Sequence, residues 1–504
     1  MFFTHSDASL PLCTGACALK IAPNCDGNPK CVIFPRRCAY FAGTVKTATF
    51  YSGRKFQCPT STRYVRTRAD GHETARDAGS GRISRSDVHS FDIVIVGAGI
   101  IGLTIARQFL IGSNLSVGLV DAAVPCAGAT GAGQGYIWRV HKTPRTEKWE
   151  LAMRSHHLWE ALAETVQNQG MDPLLTLGWR KTGSMLVGRN AEECSALWKK
   201  VEQLVDAGLA AQFLSHGDLR AEEPALGLGD EGCAAFMPDD CQIDAQRTVT
   251  FIEKANRPFA AKGRYAEFFH EPVTGFVRSE STGAIEAVQT SKSTLHVKKA
   301  VVIAAGCWSG SVMHDLIRNA EIKLDLPVKP RKGHLLVLEN FKPFNLNHGL
   351  MEAAYTSHES ANMSSNRTDS VIGFDVNTAS ISMTATMDLT GRLVLGSSRE
   401  IVGFNTEIDE SILDRIWERA GEFFPILKKA SLRDLSKSRE VRVGLRPYMP
   451  GGKPVISPVP GLSNAFLAAG HEGEGLSLAM GTAEMIYDMV LGNLPKVNPA
   501  PYSV

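Results

Sequence analysis

An α/β fold is predicted: a discontinuous Rossmann-type dinucleotide-binding domain joined to an α+β domain with a mixed antiparallel sheet. Three adjoining segments predict the first part. Residues Phe91 to Val96 form a short apolar run, as a buried parallel strand does. Gly97-x-Gly99-x-x-Gly102 follows and opens a helix-period segment, Leu103 to Leu110. A second apolar run, Leu115 to Val120, ends in the acid Asp121. Strand, glycine turn, helix, strand and acid in that order are the dinucleotide-binding βαβ layout. Gly97 permits the tight turn, Gly99 lets a pyrophosphate approach the backbone, and Gly102 lets helix and strand pack closely. The helix start offers unpaired N–H groups and a positive dipole end to phosphates. Asp121 stands where a carboxylate accepts from ribose hydroxyls.

Further elements follow along the chain. Trp149 to Gln169 and Ala191 to Ala207 carry apolar residues at helical spacing, with the strand Gly183 to Gly188 between them. Polar residues 238–240 lead to a helix over Asp244 to Ala260. Ala284 to Gln289 and Thr294 to Lys298 read as a hairpin running into Val301 to Ile303. Leu335 to Leu338 and Leu393 to Gly396 read as strands, and Ser411 to Phe423 as a helix with Pro425 just beyond it. A strand at Ala465 to Ala468, then Gly470, precedes a closing helix from Leu476 to Leu491. Residues 357–382, rich in Ser, Asn and Thr, read as a flexible insertion.

At 504 residues the chain exceeds one small core and suggests two domains with appendages. Apolar and charged fractions of 44% and 21% are those of a soluble globular protein, and a net charge of +2 points to neither nucleic acid nor membrane. No apolar run reaches membrane-spanning length, so no integral membrane segment is expected. The charge is uneven: residues 1–90 hold 13 Lys/Arg against 6 Asp/Glu. The first 60 residues contain only the acids Asp7 and Asp26, and they are rich in Ser, Thr and Ala. Such a basic, acid-poor leader reads as a transit peptide, with the chloroplast (plastid) as first address and the mitochondrion as second.

Six of the eleven cysteines lie in that leader. The pairs Cys13/Cys17 and Cys25/Cys31 lack the histidine or further cysteine pair that would complete a tetrahedral site, so no metal is expected. The other five (Cys126, Cys194, Cys233, Cys241 and Cys307) are scattered, as reduced and mostly buried thiols are.

Four more segments form a set with the first motif: the small-residue loop Gly128 to Gly135, the strand end Val301 to Ser309, Val443-Gly-Leu-Arg-Pro447, and Gly470-His-Glu-Gly-Glu-Gly-Leu476. Together, over about residues 91–492, they resemble the FAD-dependent D-amino-acid oxidase-like family, which includes glycine oxidase, sarcosine oxidase and D-amino-acid dehydrogenases. The resemblance implies noncovalent FAD. It places Gly97, Gly99, Ile100, Gly102, Asp121, Ala122, Thr130, Gly131, Gly133, Ala305, Gly306, Trp308, Gly470, Glu472, Gly473, Gly475 and Leu476 at the cofactor. It implies that Arg446 anchors a substrate carboxylate and that His471 lines the active site. An arginine fork suits a carboxylate and keeps its charge at all working pH values.

The implied domains are a transit peptide (1–60), a linker (61–90), FAD-binding parts at 91–145, 236–325 and 436–492, substrate-domain parts at 146–235 (mainly) and 326–435, and a tail at 493–504. The implied function is FAD-dependent oxidation of the C–N bond of a small amino acid or secondary amine, with electrons passing on to oxygen or a carrier. The alternative is a non-catalytic FAD-containing assembly or binding factor. Two departures from the family pattern bear on the substrate. No tyrosine lies in Ile381 to Thr386, leaving Tyr355 upstream as the substitute, and the Pro-Asp-Gly usual after Gly-Leu-Arg-Pro is replaced by Pro450-Gly451-Gly452.

Overall fold

The computed structural model describes residues 87–318, 324–355, 379–435 and 438–504. The predicted transit peptide, the linker up to residue 86 and the insertion up to residue 378 lie outside the described residues. Two sheets, each of eight strands, organise the described chain.

The first sheet grows from the predicted βαβ unit. Its central strand, Asp87–Val96, pairs in parallel with Val117–Val120 on one side and with Ser293–Ile303 on the other. Tyr265–Phe268 and Ala465–Ala469 extend it in parallel, and Val455–Pro458 closes one edge antiparallel. The central strand begins four residues before the predicted Phe91, because the polar residues Asp87 to Ser90 pair with the long strand that starts at Ser293. The predicted hairpin and following strand are therefore one hairpin whose second arm, Ser293–Ile303, runs straight into the core.

The helix Ile100–Gly112, the closing helix Gly475–Leu491 and the long helix Glu147–Asn168 pack together beside this sheet. Small residues set their spacing. A Cβ on Gly481 would meet Leu151 Cδ1 at 2.8 Å. Trp159 is fully buried and donates from Nε1 to the Leu476 carbonyl at 3.0 Å. The long helix thus packs with the cofactor-side layer, although the sequence places 146–235 mainly in the other domain.

The second sheet has the order Arg439–Tyr448, Lys329–Leu338, Leu393–Arg399, Ser380–Met387, Gly349–Glu352, Ser184–Gly188, Cys233–Met237, Gln212–Leu214. It is antiparallel except between Gly349–Glu352 and Ser184–Gly188. The helix Glu410–Phe423 covers one face through Leu413, Ile416 and Phe423. Two expectations change here. Arg439–Tyr448, assigned by sequence to the third FAD-binding part, pairs with Lys329–Leu338 from end to end and belongs to the second sheet. Ser380 to Ser382, assigned to the insertion, already form strand.

The thiols are corrected as well. Cys194, on the helix Ala191–Asp206, and Cys233 form a disulfide with a Cα–Cα separation of 5.8 Å, within the range such bridges need. Cys126, Cys241 and Cys307 remain free, and burial pushes each thiol up to about 12.

Asp240 joins the two layers. Its fully buried carboxylate accepts from Arg139 N at 2.8 Å, Val140 N at 3.0 Å and Ser184 Oγ at 2.6 Å, and pairs with Arg139 Nε at 3.0 Å. Removing it strands these donors and leaves a buried guanidinium without its partner. Asp240→Ala is expected to cost about 3–5 kcal/mol, read as a lowered denaturant midpoint.

Candidate active site and cofactor cradle

The glycine turn has the geometry a dinucleotide needs. Gly97 has φ +113°, and a Cβ there would lie 2.3 Å from the Ala304 carbonyl oxygen. A Cβ on Gly102 would lie 1.8 Å from the Gly97 carbonyl oxygen, so the helix can sit this close to the turn only with glycine. The first turn of Ile100–Gly112 carries no acid, and Ile100 N donates to Thr130 Oγ1 at 3.2 Å. The helix end is therefore compatible with anions and tied to the small-residue loop.

That loop contains a one-turn helix, Ala129–Ala132, between Gly128 and Gly133. It rests on the second sheet at Gly444, where a Cβ would meet Ala132 Cβ at 2.7 Å. Ala305 and Gly306 follow the neighbouring strand Ser293–Ile303, with Ala305 Cα beside Gly97 and Gly306 at φ +56°. From the other side come Gly470 at φ +77°, Glu472 at φ +48°, then Gly473 and Gly475. These small residues and free helix-start donors fit a dinucleotide with a flat ring system. Gly97, Gly99, Ile100, Gly102, Thr130, Gly131, Gly133, Ala305, Gly306, Gly470 and Gly473 are the residues that would hold it.

Four expected site residues do more or other than the sequence suggests. Asp121 accepts from Ala98 N and Ala123 N, both at 2.7 Å, so its carboxylate first braces the turn and keeps its remaining lone pairs for a ribose. Ala122 is exposed at the strand end. Trp308 is 45% exposed and stacks on Phe404 with ring centroids 5.7 Å apart, which puts it at the rim. His471 is buried, with Nε2 3.0 Å from Thr482 Oγ1 in the closing helix. Burial pulls its pKa down to about 4, so it stands as a neutral imidazole bonded to the closing helix.

Arg446 shows what the second sheet contributes. Strand register sets Gly333 opposite Gly444 and Arg331 opposite Arg446. The Arg446 guanidinium lies across Gly333: a Cβ there would meet its Nη2, Cζ and Nη1 at 2.6, 2.7 and 2.8 Å. It reaches the next strand and donates from Nη1 to the Ser398 carbonyl at 2.9 Å. Ser398 is itself held by the buried His334, whose backbone N–H donates to Ser398 Oγ at 2.9 Å. Burial lowers the pKa of Arg446, and the Glu472 carboxylate opposes that shift.

Two further arginines, missed in the sequence, join it. Arg331 pairs with Glu472 and lies over the Tyr448 ring at 4.7 Å. Arg399 lies over the Tyr355 ring at 4.0 Å and donates from Nη1 to Ser382 Oγ at 3.0 Å. Burial works against the charge of Glu472, but Arg331, Arg446 and Arg399 hold its carboxyl below the usual range. Tyr355 reaches the same place, with its hydroxyl 4.0 Å from where a Gly473 Cβ would stand, while Arg446 Cδ lies 3.8 Å from that point. Glu474, three residues after His471, turns the other way and pairs with Lys142 and Lys148.

The signal for Gly333 and Arg331 was strand alternation: both lie on one face, two residues apart, just ahead of the apolar run that was recognised. Gly333→Ala puts a methyl group against the guanidinium and is expected to displace Arg446. The rate constant for substrate-dependent flavin reduction should fall about 10- to 100-fold with FAD still bound, measured by stopped-flow absorbance.

Among the described residues no cluster of His, Cys, Asp and Glu is arranged to hold a metal, and no helix is long and apolar enough to cross a membrane.

Comparison with known proteins agrees with this geometry. A family profile described as FAD dependent oxidoreductase matches residues 92–489. A curated relative, glycine oxidase of Pseudomonas putida, is 27% identical over 428 residues, spanning 82% of this chain and 98% of its own length. Among solved structures, glycine oxidase from Geobacillus kaustophilus superposes with TM-score 0.66 at 21% identity, covering 82% of this chain and 98% of that one. L-proline dehydrogenase from P. horikoshii does so with TM-score 0.66 at 18% identity, covering 82% and 97%.

Proposed function

The chain belongs to the FAD dependent oxidoreductase family, and from that premise we propose that it oxidises the C–N bond of a small amino acid or secondary amine, of the glycine, sarcosine or D-amino-acid kind. The observation that carries this reading is the Arg446 guanidinium, held flat across Gly333 with Tyr355 and Gly473 beside it. FAD, when bound, supplies the acceptor for the two electrons and the hydrogen leaving the substrate carbon. The protein's own residues do the rest. Arg446 takes the substrate carboxylate on its fork and so fixes which carbon faces the ring. Ser398 and Gly333 fix the fork. Glu472 keeps Arg331 neutralised at the wall, and the buried Tyr355 and Trp138, with the half-buried Tyr136 stacked on Trp138, exclude water from that end of the pocket.

The test is product analysis under turnover. From an acyclic substrate, water hydrolyses the imine, so a carbonyl compound and ammonia (or a primary amine) should form in equal amounts as substrate is consumed. A cyclic amine should instead give the ring imine, and oxidation at a carbon that does not carry the nitrogen would overturn the reading. The names of the relatives support the same class: glycine oxidase by sequence, glycine oxidase and L-proline dehydrogenase by fold.

For location we propose the plastid, on the acid-poor, Ser/Thr-rich character of the leader. Fusing residues 1–90 to a fluorescent protein is expected to direct it to plastids, and delivery to mitochondria would overturn this address.

A further inference from the structure

We propose that the Tyr136 hydroxyl oxygen accepts the N–H of the substrate's amine, so that the pocket grips its substrate at two points, the carboxylate on Arg446 and the nitrogen on Tyr136. This rests on the amine-oxidising reading above and adds the residue that recognises the nitrogen. Glu472, the carboxylate that acts on Arg446, is already held by Arg331, which leaves the amine to a neutral acceptor. The short strand Tyr136–Ile137 leaves the cradle loop and pairs with Cys241–Gln242. It delivers Tyr136 half-buried at the wall, with its ring stacked on Trp138 at a centroid distance of 3.9 Å. Tyr355 belongs to the same apolar cluster, and its hydroxyl stands 4.0 Å from the Gly473 Cβ position. Burial keeps the Tyr136 phenol protonated, and Tyr355 and Arg446 are close enough to act on its charge.

The direction of the Tyr136 proton follows from its neighbour. Gln134 Nε2 donates to the Val394 carbonyl at 3.1 Å, and a carbonyl oxygen can only accept. The amide is therefore turned with Oε1 on the other side, where Thr384 Oγ1 donates to it at 2.9 Å and Tyr136 Oη donates as well. The Gln134 backbone carbonyl accepts from Gln242 Nε2 at 3.0 Å, which fixes the chain beneath this side chain. Thr384 and Gln134 meet at Gly396, where a Cβ would lie 2.8 Å from Thr384 Oγ1 and 3.5 Å from Gln134 Oε1. That point is two residues before the Ser398 carbonyl at which Arg446 stops. With its one proton committed to Gln134, Tyr136 offers the pocket lone pairs alone. Such a group matches an amine N–H and repels a carboxylate. It is the complement of Arg446, which offers donors alone. Thr384 is 1% exposed, so Tyr136 is the member of this chain placed to meet a ligand.

The experiment uses the FAD-loaded enzyme without oxygen. Each amine that bleaches the flavin is compared with its counterpart that has no N–H when neutral: glycine and sarcosine with N,N-dimethylglycine, proline with N-methylproline, D-alanine with N,N-dimethyl-D-alanine. The apparent second-order rate constant for bleaching is expected to be about 10- to 100-fold larger for the N–H-bearing member. In Tyr136→Phe, which keeps the ring on Trp138, the rate constant for that member should fall about 10- to 100-fold and the ratio should approach one. A steric preference would leave the ratio intact. Propionate, a carboxylate without an amine, should inhibit parent and variant with constants within about threefold of each other, which separates loss of the nitrogen's partner from collapse of the pocket. A ratio at or below one in the unaltered enzyme overturns the Tyr136 inference, needs no variant, and leaves amine oxidation standing. So does a ratio that survives Tyr136→Phe with flavin bound, or a propionate constant that weakens as much as the amine's rate constant falls. Failure of every amine to bleach the flavin overturns the amine reading itself.

Discussion

Arg446→Leu is expected to abolish useful flavin reduction by any carboxylate-bearing amine while leaving FAD bound. The guanidinium touches the Ser398 carbonyl and stands over Gly333, outside the glycine turns that form the cradle, so its loss removes the substrate's anchor and not the cofactor's. Truncating one partner of a desolvated, hydrogen-bonded charge pair costs about 2–5 kcal/mol, or about 30- to 5000-fold in the rate constant at limiting substrate. Glu472 should stay ionised in this variant because Arg331 remains against it. Arg446→Lys should recover only part of the loss, since a point charge replaces a planar fork. Stopped-flow reduction, with flavin absorbance as the loading control, measures both. An Arg446→Leu enzyme reduced as fast as the parent would place the carboxylate elsewhere.

Gly102→Ala should fail at an earlier step. Its methyl group would stand 1.8 Å from the Gly97 carbonyl oxygen and 3.0 Å from the Gly97 carbonyl carbon. Neither atom is the movable end of a side chain, so the helix must lift away from the turn. Such overpacking costs about 1–3 kcal/mol in stability. The larger effect is on the cofactor, because the helix-start N–H groups leave the positions where they meet a pyrophosphate. The variant should purify colourless, or lose FAD on dialysis, and melt lower than the parent. Gly99→Ala is a useful contrast, since a Cβ there meets only Thr130 Oγ1 at 3.3 Å. It should fold normally and be impaired only in flavin affinity. Equal flavin occupancy in the Gly102 variant and the parent would contradict the assignment of this turn.

The parts legible in the sequence are those whose signal is local. The glycine spacing, the apolar strand before it and the helix period after it lie within about thirty residues, and the structure reproduces their order, with strand and helix each starting a few residues earlier. The helices 147–168, 191–206 and 410–423 were equally plain because apolar periodicity sets their buried faces. The candidate site was legible only at Arg446 and the glycines. Arg331 and Arg399 end or precede apolar runs, where arginine is ordinarily solvated, and only the pairing of strands more than a hundred residues apart brings Arg331 opposite Arg446. That pairing also places Arg439–Tyr448 in the second sheet. The Cys194–Cys233 bridge depends on a helix folding back on a strand 39 residues on. The partner of the His471 ring, Thr482, lies one helical stretch later and was not legible in the glycine-rich segment around it.

The most direct test of the central claim is the absorbance of the yellow, FAD-loaded protein mixed without oxygen with glycine, sarcosine, iminodiacetate, proline and D-amino acids in turn. Bleaching by at least one of them, lost in Arg446→Leu, is the predicted result. A folded, FAD-containing protein that stays yellow with every amine would contradict it, and would favour a cofactor retained in an assembly or binding factor.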